Sequence, residues 1–201
     1  DEFWMTGEVW GHGVGKDEYY TQGGFDSLIN FSTCDGGSLA SGSLDGTYSG
    51  YDSKINSDPD FNVLSFMSSH DENIMSAKKS AKDMIYYGTA FLMLPGGVQI
   101  YYGDETYRKL VSGVSEDGYG GAGHSLRSDM NWDSIDTDLL EHWQKVGTFR
   151  NNHIAVGAGT HTKISSSPYT FSRVKGDDKV VVAMPTAAGT YDINVSGVFA
   201  N

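Results

Sequence analysis

Three short apolar segments, each closed by acidic or histidine residues, constrain most strongly how this chain can fold. They cover residues 3–8, 62–68 and 98–102, and they end in or lead into Gly-Glu, Ser-His-Asp and Gly-Asp-Glu. A further segment, residues 25–32, alternates apolar and polar positions as a half-buried strand does. Parallel α/β barrels carry their chemistry at the carboxyl ends of their strands. The pattern therefore predicts a parallel sheet with polar groups gathered along one edge.

Helical periodicity separates and follows these strands, which favours an alternating α/β arrangement. One helix is predicted over residues 74–94, where Pro-Gly-Gly ends it, and a second over residues 138–151, capped by Asp136 or Thr137. Residues 38–60 are rich in Gly and Ser, and only part of them is expected to be helical. After residue 152 short strand candidates follow at residues 155–159, 169–174, 180–184 and 191–195, which is the texture of an all-β module.

Charge and composition exclude some classes of partner. The formal net charge of −12 argues against nucleic acid, because little here could neutralise a run of phosphates. No apolar run approaches the roughly 20 residues needed to span a bilayer. The single cysteine, Cys34, excludes an internal disulfide. An acidic chain with 12% aromatic residues suits a neutral polyhydroxylated ligand, because aromatic faces stack on the apolar faces of sugars.

Glu8 and Asp71 are the candidate catalytic carboxylates. Hydrolysis of an acetal needs a proton donor for the leaving oxygen and negative charge near a developing oxocarbenium ion. Glu8 follows an apolar run and precedes Val9 and Trp10, a setting expected to raise its pKa and keep it protonated, whereas Asp71 can stay ionised. On the residues alone, two carboxylates at the strand ends of an unrelated α/β protein explain the pattern equally well.

The order of the motifs resembles the α-amylase family of glycoside hydrolases, also called GH13. Gly-Glu-Val-Trp (residues 7–10), Phe-Met-Ser-Ser-His-Asp (66–71) and Pro-Gly-Gly-Val-Gln-Ile-Tyr-Tyr-Gly-Asp-Glu (95–105) are similar to its fifth-, seventh- and eighth-strand motifs. Residues 129–133 and 143–153 resemble the segments that come after the eighth strand in that family. The resemblance spans roughly residues 3 to 160. It implies an α/β fold: residues 1–153 form the second half of a (β/α)8 TIM barrel, and residues 154–201 form a small all-β (β-sandwich) domain that is possibly truncated.

The resemblance also implies roles for individual residues. Glu8 matches the general acid/base and Asp71 the carboxylate that stabilises the transition state. His70 matches the histidine that bonds sugar hydroxyls, and Arg127 an arginine that contacts sugar. Trp10 and His12 stand where the family places contacts to the leaving-group side. The expected activity is retaining hydrolysis of α-1,4-glucosidic bonds in a starch-like α-glucan or malto-oligosaccharide.

The chain departs from the family pattern in two places. Ser69 stands where many members carry Asn. The family nucleophile, an Asp two residues after an Arg, has no counterpart here, so we expect it in a missing N-terminal half of the barrel and expect this chain alone to be inactive. The family implies calcium, whose usual ligands also lie outside this chain, and a secreted or cell-surface location.

Other interpretations of the sequence stay open. A relative that binds glucan or serves in assembly without catalysis is the alternative function, although the presence of both Glu8 and Asp71 disfavours it. Asp104 and Glu105 are expected to shape the mouth of the barrel by bonding loop backbone rather than to catalyse. The Gly-rich residues 11–16 lack the spacing of a phosphate-binding loop, which argues against nucleotide binding.

Overall fold

A computed structural model describes residues 3–111 and 125–199 of the chain. Four strands form a parallel sheet in the order in which they occur along the chain: β1 (Thr6–Gly7), β2 (Ser27–Asn30), β3 (Asn62–Ser65) and β4 (Gly97–Val98). The register pairs Gly7 with Leu28, Leu28 with Val63 and Leu64 with Gly97. All four strands therefore point their carboxyl ends toward one edge of the sheet, as predicted.

Helices and shorter turns connect and follow these strands. The α-helices are α1 (Glu18–Thr21), α2 (Leu44–Asn56), α3 (Ala81–Leu92), α4 (Thr137–Asn152) and α5 (Ile154–Ala158). The 3-10 segments are Phe31–Leu39, which is kinked, Met75–Ala77, Ser125–Arg127 and Trp132–Ser134. The helix α2 lies within residues 38–60, which confirms that part of this stretch is helical.

Helix starts follow the capping side chains rather than the apolar periodicity. The helix predicted from residue 74 begins at Ala81, because Ser80 and Asp83 form a capping box there and Met75–Ala77 is a separate 3-10 turn. Asp136 caps α4, and its carboxylate accepts from the Leu139 amide at 3.0 Å. Both predicted helices are thus present, one of them later than predicted.

The chain after α4 forms a three-stranded antiparallel sheet, β5 (Thr160–Ser166), β6 (Tyr169–Lys175) and β7 (Asp178–Met184). A two-residue turn joins β6 to β7, and Gly176 takes the positive φ of 59° that this turn requires. The succession of a parallel sheet with helices and an antiparallel sheet confirms the predicted fold class, a partial barrel followed by a β-domain.

Two of the predicted strands are wrong. Residues 155–159 fall in α5, where one helical turn buries Ala155 and Val156 and the Asp178 carboxylate accepts from the Ala155 amide at 2.8 Å. Residues 191–195 form no strand. They are mostly exposed, so burial of apolar side chains there does not offset the conformational entropy lost when a strand is ordered.

Arg173 joins the small sheet to the helical part, and Arg150 joins α4 to the end of α3. Arg173 on β6 is fully buried, lies over the rings of Tyr48 and Phe171 and donates to the Val156 carbonyl. Arg150 on α4 donates to three carbonyl oxygens at the end of α3: those of Leu92, Leu94 and Gly96. Burial lowers the pKa of each guanidinium to about 10.

Within the described residues, no helix is long and apolar enough to cross a membrane.

Candidate active site

The candidate carboxylates follow strands of the same sheet at the same edge. Glu8 comes directly after β1, and Asp71 lies six residues beyond the end of β3. One strand separates β1 from β3, so their axes are about 10 Å apart at about 4.8 Å per strand step. Both carboxylates therefore come after strands that end at the same edge of the sheet.

Asp71 lies between two cationic or protonatable groups. Its Oδ1 is 2.7 Å from Nη2 of Arg127, and its Oδ2 is 3.0 Å from Nε2 of His70. The Asp71 side chain is 20% exposed and that of Arg127 37%, so the ion pair faces solvent. The structure thus brings together three of the six predicted site residues.

Ser69 shapes the loop that carries Asp71. Its hydroxyl accepts from the backbone amides of Asp71 at 3.2 Å and Glu72 at 2.9 Å. A serine hydroxyl that bonds amides two and three residues ahead fixes a tight turn. The residue that departs from the family pattern is therefore a structural part of this loop.

A series of aromatic contacts connects the three strand ends. The ring of Trp10 is 5.2 Å from that of Phe31, and Phe31 is 5.1 Å from Phe66. Trp10 follows β1, Phe31 follows β2 and Phe66 follows β3. Trp10 is 57% exposed, which leaves much of its ring open to a ligand. The rim beside Glu8 is thus physically continuous with the loop that leads to Asp71.

His12 is largely buried and pairs with a carboxylate. Its Nε2 is 2.8 Å from a carboxylate oxygen of Asp17, and its side chain is only 12% exposed. Asp17 also caps α1 by accepting from the Tyr19 amide at 3.0 Å. His12 is therefore much less accessible to a ligand than Trp10, which lies two residues before it in the chain.

Glu8 is exposed, and residues 3–111 and 125–199 do not build the apolar enclosure expected around it. Among these residues β1 is the outermost strand and pairs only with β2, which leaves Glu8 open to solvent.

Asp104 occupies a very different environment at the end of β4. It is 4% exposed, and its Oδ1 accepts from the Ser68 hydroxyl at 2.6 Å. Burial raises the pKa of Asp104 to about 7, and the charge of Glu105 adds to the rise, while the Ser68 hydrogen bond and Arg108 oppose it. Glu105 accepts from the Gly103 amide at 3.0 Å, which confirms its predicted contact with loop backbone. Asp104 instead bonds a side chain.

Two clefts in the described part of the chain lie away from the two carboxylates. A cleft of about 790 Å³ opens between α3, α4 and the end of β7, and one of about 470 Å³ between residues 107–111 and 128–136. Neither is lined by Glu8 or Asp71. The candidate site is therefore separate from both clefts.

The described part of the chain offers no cluster of three or more His, Cys, Asp or Glu side chains that could hold a metal ion. The carboxylate of Asp71 at the rim is paired with Arg127 and His70 instead. These residues do not fit a calcium site.

The chain is similar in sequence to a known periplasmic enzyme. It is 40% identical over 189 residues to the periplasmic alpha-amylase of Escherichia coli (strain K12), which covers 90% of the chain and 26% of that protein. The chain thus spans about a quarter of the curated relative that it matches. No family model matches it.

Solved structures share the fold. Eubacterium rectale Amy13B superposes with a TM-score of 0.66 at 16% identity, over 89% of this chain and 42% of the other. The acarbose-soaked debranching enzyme of Nostoc punctiforme superposes with a TM-score of 0.61 at 18% identity, over 96% and 44%. In each case the chain matches less than half of the neighbour.

Proposed function

Since the chain belongs to the α-amylase family of glycoside hydrolases, we propose that it forms the part of a retaining α-glucan hydrolase that contains the general acid and the transition-state stabiliser. The single observation that carries the proposal is the placement of Glu8 and of the Asp71–Arg127–His70 group along the carboxyl edge of one parallel sheet.

Glu8 is the proton donor in this proposal. It protonates the oxygen of the α-1,4 bond as the bond to the anomeric carbon breaks, and it then removes a proton from the water that releases the sugar. Its exposed position at the rim lets the leaving glucan segment and the incoming water reach the same carboxyl group. Trp10, two residues on, offers an exposed ring on which the leaving segment stacks.

Asp71 carries the negative charge that stabilises the oxocarbenium-like transition state. Arg127 and His70, at 2.7 and 3.0 Å from its two oxygens, fix the carboxylate and contact hydroxyls of the same sugar. His12 is less available for substrate contact, since its ring is paired with Asp17. It supports the loop that carries Trp10.

The nucleophile lies outside this chain in our proposal, in the other half of the barrel. It attacks the anomeric carbon to form a glycosyl-enzyme intermediate, for which its carboxyl group and that of Glu8 must lie about 5–5.5 Å apart. The substrate is a starch-like glucan or malto-oligosaccharide, and the compartment is outside the cytoplasm, like that of the periplasmic relative. No step in this mechanism passes through calcium.

The change Glu8→Gln in the intact protein tests the role of the general acid. Because an amide has no proton to transfer, we expect turnover of dye-labelled starch to fall about 1,000-fold, while calorimetric binding of maltoheptaose is retained. A dinitrophenyl maltoside, whose leaving group needs no proton, should still release dinitrophenolate rapidly in the first turnover.

The matched control is Glu141→Gln on the exposed face of α4, which should leave turnover unchanged. Full activity of Glu8→Gln would refute the assignment of Glu8. An unsubstituted protein that binds maltoheptaose but hydrolyses neither substrate would favour the non-catalytic alternative.

A further inference from the structure

A buried arginine holds both neighbours of Arg127. Arg108 is 2% exposed, and its guanidinium donates to the Leu126 carbonyl at 3.0 Å and to the Ser128 hydroxyl at 2.8 Å. A third bond runs to the Tyr102 carbonyl at 3.2 Å. Leu126 and Ser128 are the residues on either side of Arg127, so one planar fork fixes the backbone from which Arg127 projects.

Two tyrosines reinforce the same attachment. The guanidinium carbon of Arg108 lies 4.2 Å from the ring centre of Tyr102 and 5.4 Å from that of Tyr101. The Tyr101 hydroxyl donates to the Leu126 carbonyl at 2.8 Å, and the Tyr102 hydroxyl donates to the Ser128 carbonyl at 2.7 Å. Arg108 therefore orders the two rings that bond the same two residues.

The segment that contains Arg108 also forms hydrogen bonds with the loop that carries Asp71. The Arg108 carbonyl accepts from the Ser76 hydroxyl, and Asp104 accepts from the Ser68 hydroxyl. Ser68 and Ser76 stand on either side of Asp71 in the chain. Gly103 leaves room for this arrangement, because a Cβ there would overlap the Arg108 side chain and its φ is +92°.

An exposed ion pair contributes little by itself and costs side-chain entropy to hold in one geometry. The pair between Arg127 and Asp71 is of this exposed kind, so its geometry depends on how firmly its two backbones are placed. We propose that Arg108 is a positioning residue that holds Arg127 beside Asp71. The inference rests on the proposed function.

A double-mutant cycle in the intact protein tests whether Arg108 acts through Arg127. We expect R108M to lower kcat/KM for maltoheptaose about 10-fold in the unsubstituted background and less than about 3-fold in the R127M background. R108M should also divide its effect between kcat and KM as R127M does, which general loosening of the fold would not reproduce. K109M, a neighbouring exposed cation, is the matched control and should leave both constants unchanged.

An equal loss from R108M in both backgrounds would overturn the proposal. If R108M does not fold, S128A decides, because among the described residues the Ser128 hydroxyl bonds only Nη1 of Arg108. The loss of kcat/KM that S128A causes should likewise disappear in the R127M background. A loss that persists there would overturn the proposal. Failure of the proposed function is seen separately, as full activity of Glu8→Gln or as binding without hydrolysis. In the latter case the same cycle is run on the Kd for maltoheptaose.

Discussion

Asp104→Asn is expected to remove a pH dependence of stability that the buried carboxyl group creates. Burial raises the pKa of Asp104 from its ordinary value of 3.8 to about 7 in the folded protein. The folded state therefore binds a proton more tightly than the unfolded state. This contribution to stability is fully present below about pH 3.8 and is lost as the pH rises through about 7.

The size of the effect follows from the two pKa values. A difference of about three pH units, at about 1.4 kcal/mol each, gives about 4 kcal/mol between pH 4 and pH 8. The asparagine keeps an oxygen for the Ser68 hydroxyl but cannot ionise. The carboxyl group has a further reason to stay neutral, since Oδ2 of Asp104 has no hydrogen-bond partner among the described residues.

The assay is urea unfolding of the intact protein and of the Asp104→Asn variant, followed by tryptophan fluorescence at several pH values. The free energy of unfolding of the unsubstituted protein minus that of the variant should fall by about 4 kcal/mol from pH 4 to pH 8. The matched carboxyl-to-amide change at exposed Asp133 should give a flat difference. A flat difference for Asp104→Asn as well would refute the reasoning.

Two further predictions concern the helices α3 and α4. Gly88→Ala should destabilise the protein by about 2 kcal/mol, because a Cβ there overlaps the Trp143 indole, whereas Gly147→Ala on α4, with nothing within 4 Å, should stabilise it by up to about 1 kcal/mol. Thermal unfolding of the pair measures both, and equal shifts would contradict the packing described. Arg150→Met should cost about 3 kcal/mol by chemical denaturation, since three carbonyl oxygens at the end of α3 lose their donor; a cost near zero would mean that water replaces the guanidinium.

The parallel sheet could be predicted from the sequence because its strands are short apolar runs closed by polar residues.

The strands of the small β-domain were harder to predict from the sequence. Residues 155–159 are small and apolar, and such a short run fits a strand or one helical turn equally well. The strand β5 was missed because it begins Thr-His-Thr-Lys, is mostly exposed and lacks an apolar alternation. Its pairing with β6, a contact with another part of the chain, makes it a strand.

The candidate site residues near the strand ends could be proposed from the sequence. The residues that hold them in position could not. Arg127 is 56 residues from Asp71, and only the family resemblance suggested it. Nothing in the sequence distinguishes Arg108, which is buried, from Lys109, which is exposed. Among the described residues Glu8 is exposed and follows an outer strand, a feature that its apolar sequence neighbours do not reveal.

A crystal structure of the intact Glu8→Gln variant with a bound malto-oligosaccharide tests the central claim most directly. We expect the side chain at position 8 to lie within hydrogen-bond distance of one glycosidic oxygen. We also expect Asp71, still paired with Arg127, to contact hydroxyls of the sugar that carries this oxygen on its anomeric carbon. A glucan bound elsewhere, or positions 8 and 71 on separate sugars with no shared linkage, would contradict the claim.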